Sequence, residues 1–258
     1  MPTRLQGFLK KLAWRILKLD YSTGILSLIL LPAVMLEARR ADNIDAMVDL
    51  LFSRRPAGLL LAPMQVREEV EQLAKLVASR RPRTVLEIGT ARGGTLALWT
   101  RAASRDATII TIDLPGGLFG GGYGVGRVAL YKSLRLGRQE IVLLRRDSHD
   151  PQTLAIVKKV LRGRRVEFMF IDGDHSYEGV RMDYRMYSGL LAQGALLAFH
   201  DIVPGPSHLV GGVPRFWKEL KAALEPPCRV YEFVRDWGQG GFGIGVVEVG
   251  EGCRLPRI

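Results

Sequence analysis

The segment Phe170-Ile171-Asp172-Gly173-Asp174-His175-Ser176 sets a carboxylate and an imidazole three positions apart, just after an apolar run. Histidine is the side chain whose ordinary pKa lies nearest neutrality, so His175 suits removal of a proton from a substrate hydroxyl. A second apolar run ends in Phe199-His200-Asp201. If the two runs are neighbouring strands, Asp172, His200 and Asp201 could hold one divalent cation. Two carboxylates with solvent favour magnesium or manganese. The plainer alternatives are an Asp172 that only positions a cofactor and a His200 that only hydrogen-bonds a loop.

Further upstream, Glu87-Ile88-Gly89-Thr90-Ala91-Arg92-Gly93 places glycines where a strand must turn sharply and backbone must approach a neighbour closely. The spacing differs from the G-x-G-x-x-G of dinucleotide sites. An acid beside such a loop repels a pyrophosphate but suits the cationic sulfonium and ammonium of S-adenosylmethionine. Asp113 closes the next apolar run, at roughly the 20-residue offset where an acid meets ribose hydroxyls in this type of fold. Its alternative role is to cap a loop. Asp147-Ser148 could face an adenine edge, or form a simple Asx-turn before Pro151. The run Pro115-Gly116-Gly117-Leu118-Phe119-Gly120-Gly121-Gly122-Tyr123-Gly124 predicts a mobile lid with Phe119 and Tyr123 as apolar contacts.

These residues need strands that end together. Apolar runs at 84–88, 107–112, 141–144, 166–171 and 195–199 alternate with helical patterns at 66–77, 96–103, 151–161, 177–191 and 213–224. Asp150-Pro151 reads as an N-cap followed by proline in the first turn. Two closing strands, 229–234 and 242–249, join through the turn-rich Trp237-Gly238-Gln239-Gly240-Gly241. The expected fold is α/β: a Rossmann-like doubly wound sheet, mostly parallel with a reversed last strand, with ligands at the carboxyl ends of the strands. Residues 1–60 form an N-terminal helical extension and residues 61–258 the cofactor-binding domain. A helix is expected at 41–52, and residues 54–58 read as a break.

Taken together, Glu87, Gly89, Gly93, Asp113 and the Ile171–Ser176 segment resemble class I S-adenosylmethionine-dependent methyltransferases. The nearest branch is the one related to cephalosporin hydroxylase and the macrolide-sugar O-methyltransferases. The resemblance spans about residues 63–250 and implies a seven-stranded sheet. It also implies that Glu87, Gly89 and Gly93 meet the methionine part of the cofactor, that Asp113 holds the ribose, and that Asp147 and Ser148 lie near the adenine. Asp172 and Asp201 match the family's cation ligands, whereas His200 stands where relatives carry a carboxylate. His175 matches the proposed base of the sugar enzymes. The implied activity is methylation of a hydroxyl on a small molecule or sugar-containing natural product. The alternative is a non-catalytic cofactor-binding subunit of a partner enzyme, and the absence of a Tyr-x-x-x-Lys pair argues against a nicotinamide dehydrogenase.

The chain has 258 residues, 47% hydrophobic and 24% charged, with a net charge of +11. Such a charge suggests an anionic neighbour or simply an arginine-rich surface; no nucleic-acid motif accompanies it. Residues 5–19 carry Leu5, Phe8, Leu9, Leu12, Ile16 and Leu19 opposite Arg4, Lys11, Arg15 and Lys18. This basic amphipathic helix would lie on an anionic membrane, dock on a partner, or pack on its own domain. Association into a homo-oligomer stays open. The apolar run 25–36 is shorter than the roughly 20 residues a bilayer span needs and has no small-residue cleavage site after it. Cys228 and Cys253 lack metal-site spacing and are too few for a disulfide framework, so reduced thiols and a cytoplasmic location are expected.

Overall fold

The computed structural model describes residues 24–116 and 122–258. The amphipathic segment 5–19, and Phe119 with its neighbours in the glycine run, lie outside the described residues. The seven strands are β1 (Thr84–Ile88), β2 (Thr108–Asp113), β3 (Glu140–Arg145), β4 (Val166–Ile171), β5 (Leu191–His200), β6 (Arg229–Phe233) and β7 (Ile244–Val249). They form one sheet in the order β3-β2-β1-β4-β5-β7-β6. The first five run parallel, and β7 is antiparallel to both β5 and β6. The reversed last strand is therefore present, delivered by the predicted hairpin.

Every residue of β1 and β2 is buried, which explains why these strands read as unbroken apolar runs. Their alternate residues feed two cores. Val85, Ile109, Phe168 and Phe170 face one layer of helices; Leu86, Ile110, Met169 and Ile171 face the other. The first layer is α1 (Ile25–Arg40), α2 (Ile44–Leu51), α3 (Pro56–Leu61), α4 (Arg67–Arg80), α5 (Gly94–Ala102) and α6 (Val128–Ser133). The second is α7 (Pro151–Leu161), α8 (Tyr177–Tyr187) and α10 (Val213–Ala223); the short α9 (Ser207–Val210) precedes the last of these. Asp150 caps α7 as expected, its side chain accepting from the Gln152 amide, with Pro151 in the first turn.

Three sequence expectations change, and the apolar run 25–36 gains a structural role. Residues 54–58 are not simply a break, because proline at the first helical position starts α3 there. The apolar run 25–36 lies within α1, and its buried Val34 and Ala38 join the same core as Leu96 and Phe168. Tyr123 is no lid contact: its ring is buried edge-on against Tyr131, with centroids 4.8 Å apart. Finally, the cysteines are not free thiols; Cys228 and Cys253 form a disulfide. The β6–β7 hairpin brings the residue before β6 beside the tail after β7, with Cα atoms 4.7 Å apart across 25 positions of sequence. That pairing depends on strand order, which cysteine spacing does not encode.

Candidate active site

Strand order carries β1, β2, β4 and β5 to one edge, and their terminal loops meet there. Gly89 leaves β1 with φ +94°, and a Cβ on it would lie 1.9 Å from the Asp172 carbonyl oxygen. Only glycine lets the two loops touch in this way. Gly93 is also left-handed, and a Cβ there would strike the Tyr131 ring at 2.6 Å. The close approach at Gly93 is thus to a core tyrosine, whose hydroxyl donates to the Ala91 carbonyl at 2.7 Å.

Glu87 lies beneath this loop, fully enclosed. Its Oε1 accepts from Trp99 Nε1 at 2.7 Å and its Oε2 from the Thr111 hydroxyl at 2.9 Å. Burial raises its pKa to about 7, against the pull of Thr95, Thr111 and Trp99. Asp113 accepts four backbone N–H bonds: Thr90 (2.9 Å) and Ala91 (2.6 Å) on Oδ2, and Leu114 (2.8 Å) and Gly122 (2.7 Å) on Oδ1. It ties the loop after β1 to the chain leaving β2. A crevice of about 30 Å3 opens between this loop and residues 62–65, with Met64, Gln65, Thr90, Arg92 and Asp172 among its walls.

At the mouth stands a four-membered cluster. Asp172 Oδ2 accepts from Gln65 Nε2 at 2.6 Å, while Oδ1 lies 3.2 Å from His200 Nδ1 and 3.4 Å from His175 Nε2. Asp201, held at φ 63°, brings Oδ2 to 3.3 Å from His175 Nδ1 and 3.5 Å from His200 Nδ1. His175 Nδ1 also sits 2.7 Å from the Leu209 carbonyl. A carbonyl only accepts, so Nδ1 carries the hydrogen and Nε2 is the basic nitrogen. Burial pulls both imidazoles down, but the carboxylates outweigh it, lifting His175 to about 9 and His200 to about 10. Burial likewise opposes ionisation of Asp172, yet His200 and His175 hold it well below the usual carboxylate range.

One ligand atom each from Asp172, His175 and Asp201 lies within 4.8 Å of the others. Two carboxylates and an imidazole at that spacing fit a divalent cation. The compact set contains His175, whereas the sequence nominated His200. His200 flanks both carboxylates with Nδ1, and its enclosed Nε2 meets no hydrogen-bond partner among the described residues. Asp147 forms the Asx-turn, accepting from the His149 amide at 2.8 Å, and the Ser148 carbonyl accepts from the Tyr187 hydroxyl at 2.7 Å. Sequence reasoning missed Gln65, Trp99, Thr111 and the Leu209 carbonyl. It also missed His149, whose Nε2 lies 3.3 Å from the buried Asp183 carboxylate.

Residues 86–202 match the family model of a methyltransferase domain. No curated protein matches the sequence. Among solved structures, the chain is similar to an O-methyltransferase from Bacillus cereus in complex with SAH, at 18% identity, covering 80% of this chain and 91% of that one, with a TM-score of 0.54. It is also similar to the O-methyltransferase TomG from Streptomyces achromogenes, involved in tomaymycin synthesis and solved with SAM. There the identity is 19%, the coverage 72% and 81%, and the TM-score 0.51. Residues 86–202 are thus similar to a methyltransferase domain, and the seven-stranded sheet has the fold of these two O-methyltransferase structures.

Proposed function

We propose that this protein is an S-adenosylmethionine-dependent O-methyltransferase acting on a hydroxyl of a small molecule or sugar-containing natural product. The observation that carries the reading is His175, set at the mouth of the glycine-loop crevice between two carboxylates, with its tautomer fixed by Leu209. S-adenosylmethionine supplies the methyl group as an electrophile. Glu87 sets negative charge beneath the loop that would take the methionine part, with Gly89 and Gly93 shaping that loop. Asp113 would hold the ribose hydroxyls, and Asp147 and Ser148 would lie near the adenine.

With its pKa lifted to about 9, His175 Nε2 would accept the hydroxyl proton only in the neutral form of the ring, whose share grows as pH rises, and Asp172 and Asp201 would stabilise the imidazolium formed. Positioning of the two reactants would supply much of the acceleration. A divalent cation, magnesium or manganese, would sit on Asp172 and Asp201 and polarise the acceptor oxygen. His175 Nε2 cannot both ligate that cation and take the proton. His175→Ala should lower methyl transfer by roughly 10²–10⁴-fold while S-adenosylhomocysteine affinity stays within a few-fold of wild type. Undiminished transfer by that variant removes His175 as the base, and undiminished wild-type transfer in chelator removes the cation. The basic N-terminal segment belongs to the same reading as a peripheral contact with an anionic membrane.

A further inference from the structure

Helix α1 is apolar nearly all round, yet only one side of it enters the core. Val34 and Ala38 are buried, while Leu28, Ile29 and Leu36 are 49%, 68% and 53% exposed. A helix that is apolar on every side is ordinarily covered on every side. The exposed stripe does not stop at α1. Gly24 abuts the backbone of Gly126, placing the start of α1 beside Val125, which is 70% exposed. Arg127 bridges Ser27 of α1 and the Leu60 carbonyl of α3, next to the exposed Leu59. Residues 62–65 follow α3 directly and form one wall of the crevice, with Met64 60% exposed at its mouth. Apolar surface of this extent marks an interaction site.

Charge selects the occupant. Arg39 and Arg40 end α1, and Arg54 and Arg55 stand exposed before α3, whose first turn is tied to α1 by the Ala57 amide donating to Glu37. The chain immediately before α1 adds Lys10, Lys11, Arg15 and Lys18, and the whole chain carries +11. Two copies of so basic a chain repel one another, whereas anionic headgroups attract it. The outer side of a helix is convex, which suits a deformable lipid surface. No described helix is long and apolar enough to cross a membrane.

We propose that α1, with Leu59, Met64 and Val125, seats this protein on an anionic lipid surface with the crevice mouth at the bilayer. Its acceptor is then a hydroxylated amphiphile at the lipid–water boundary. The acceptor half rests on the O-methyltransferase reading; the docking half does not.

The test uses the full chain with vesicles of phosphatidylcholine, alone or with about one third phosphatidylglycerol. Wild type should sediment with the anionic vesicles and not with the neutral ones. Leu28→Asp/Ile29→Asp should lower that partition at least about tenfold, while calorimetric affinity for S-adenosylhomocysteine stays unchanged and so reports an intact fold. An environment-sensitive fluorophore at Met64→Cys should shift blue on anionic vesicles, and one at Lys158→Cys, on the opposite helix layer, should not. Equal sedimentation of variant and wild type would overturn the proposal. So would a wild-type dimer that the variant dissolves, since a second copy would then cover the face. So would failure of wild type to bind vesicles until residues 1–23 are removed, since the chain's own N-terminus would then be the cover. Absence of S-adenosylhomocysteine binding by wild type would instead refute the cofactor reading and leave the docking result standing.

Discussion

Glu87→Gln separates what the fold needs from what the cofactor needs. In the folded chain this carboxyl is lifted from 4.5 to about 7, because it is sealed beneath the glycine loop. Ionising it there costs about 3 kcal/mol more than in the unfolded chain. The unfolded state loses its proton near 4.5, whereas the folded state keeps it to about 7. Stability therefore falls as pH rises between those values and stays lower above them. Glutamine fits the same place. Its carbonyl can accept from Trp99, its amide can donate to the Thr111 oxygen, and Thr111 can turn its hydrogen to the adjacent Thr90 hydroxyl. We expect the variant to be roughly 2–3 kcal/mol more stable at pH 8, or about 5–10 °C in thermal midpoint, with little difference at pH 4.5. The gain should come with weaker binding of S-adenosylmethionine, because a buried negative charge beneath a cationic ligand is lost, and with less effect on its uncharged-sulfur product. Scanning calorimetry at both pH values and titration calorimetry with both ligands measure this. A variant less stable than wild type at pH 8 would refute the reasoning, showing that the bonds from Trp99 and Thr111 to a carboxylate outweigh its burial.

Gly89→Ala should lower the thermal midpoint and abolish S-adenosylhomocysteine binding, since its Cβ would overlap the Asp172 carbonyl at 1.9 Å; retained affinity in calorimetry would show that the two loops part easily. His149 is lifted to about 8 by its contact with Asp183, so the pair's contribution is complete below 6.5 and is lost as pH rises through 8. The thermal midpoint of wild type should fall between pH 7 and 9 more steeply than that of His149→Gln, and parallel curves would assign the pair no role in stability. Reducing the Cys228–Cys253 bridge, which closes a loop across 25 positions, should lower unfolding free energy by about 3 kcal/mol in denaturant titrations without touching cofactor affinity.

Most of the sheet was legible because its strands are buried on both faces and therefore read as continuous apolar runs with glycines or acids at their ends. Helix α7 was legible from Asp150-Pro151 alone, because cap and first-turn proline are local chemistry. Helix α1 was not. Pro32 and the nearly continuous apolar composition hid a helical period, and part of the core that fixes it comes from α6, distant in sequence. Tyr123 misled for a similar reason: glycines on both sides suggested a loop contact, while the partner that buries it is Tyr131 on the next helix.

The site shows the same division between local and assembled information. Asp172 and His175 share one loop, so their spacing could be read directly, and strand order added Asp201. The sequence could not show which ring would stand where. His200 ends an inward-facing strand and is almost wholly enclosed, while His175 sits on the loop above and remains partly open to solvent. The accessible imidazole is thus the one a substrate could reach, and the enclosed one lies against Asp172 and Asp201. Asp172 joins the two regions: its carbonyl packs on Gly89 while its carboxylate faces both histidines.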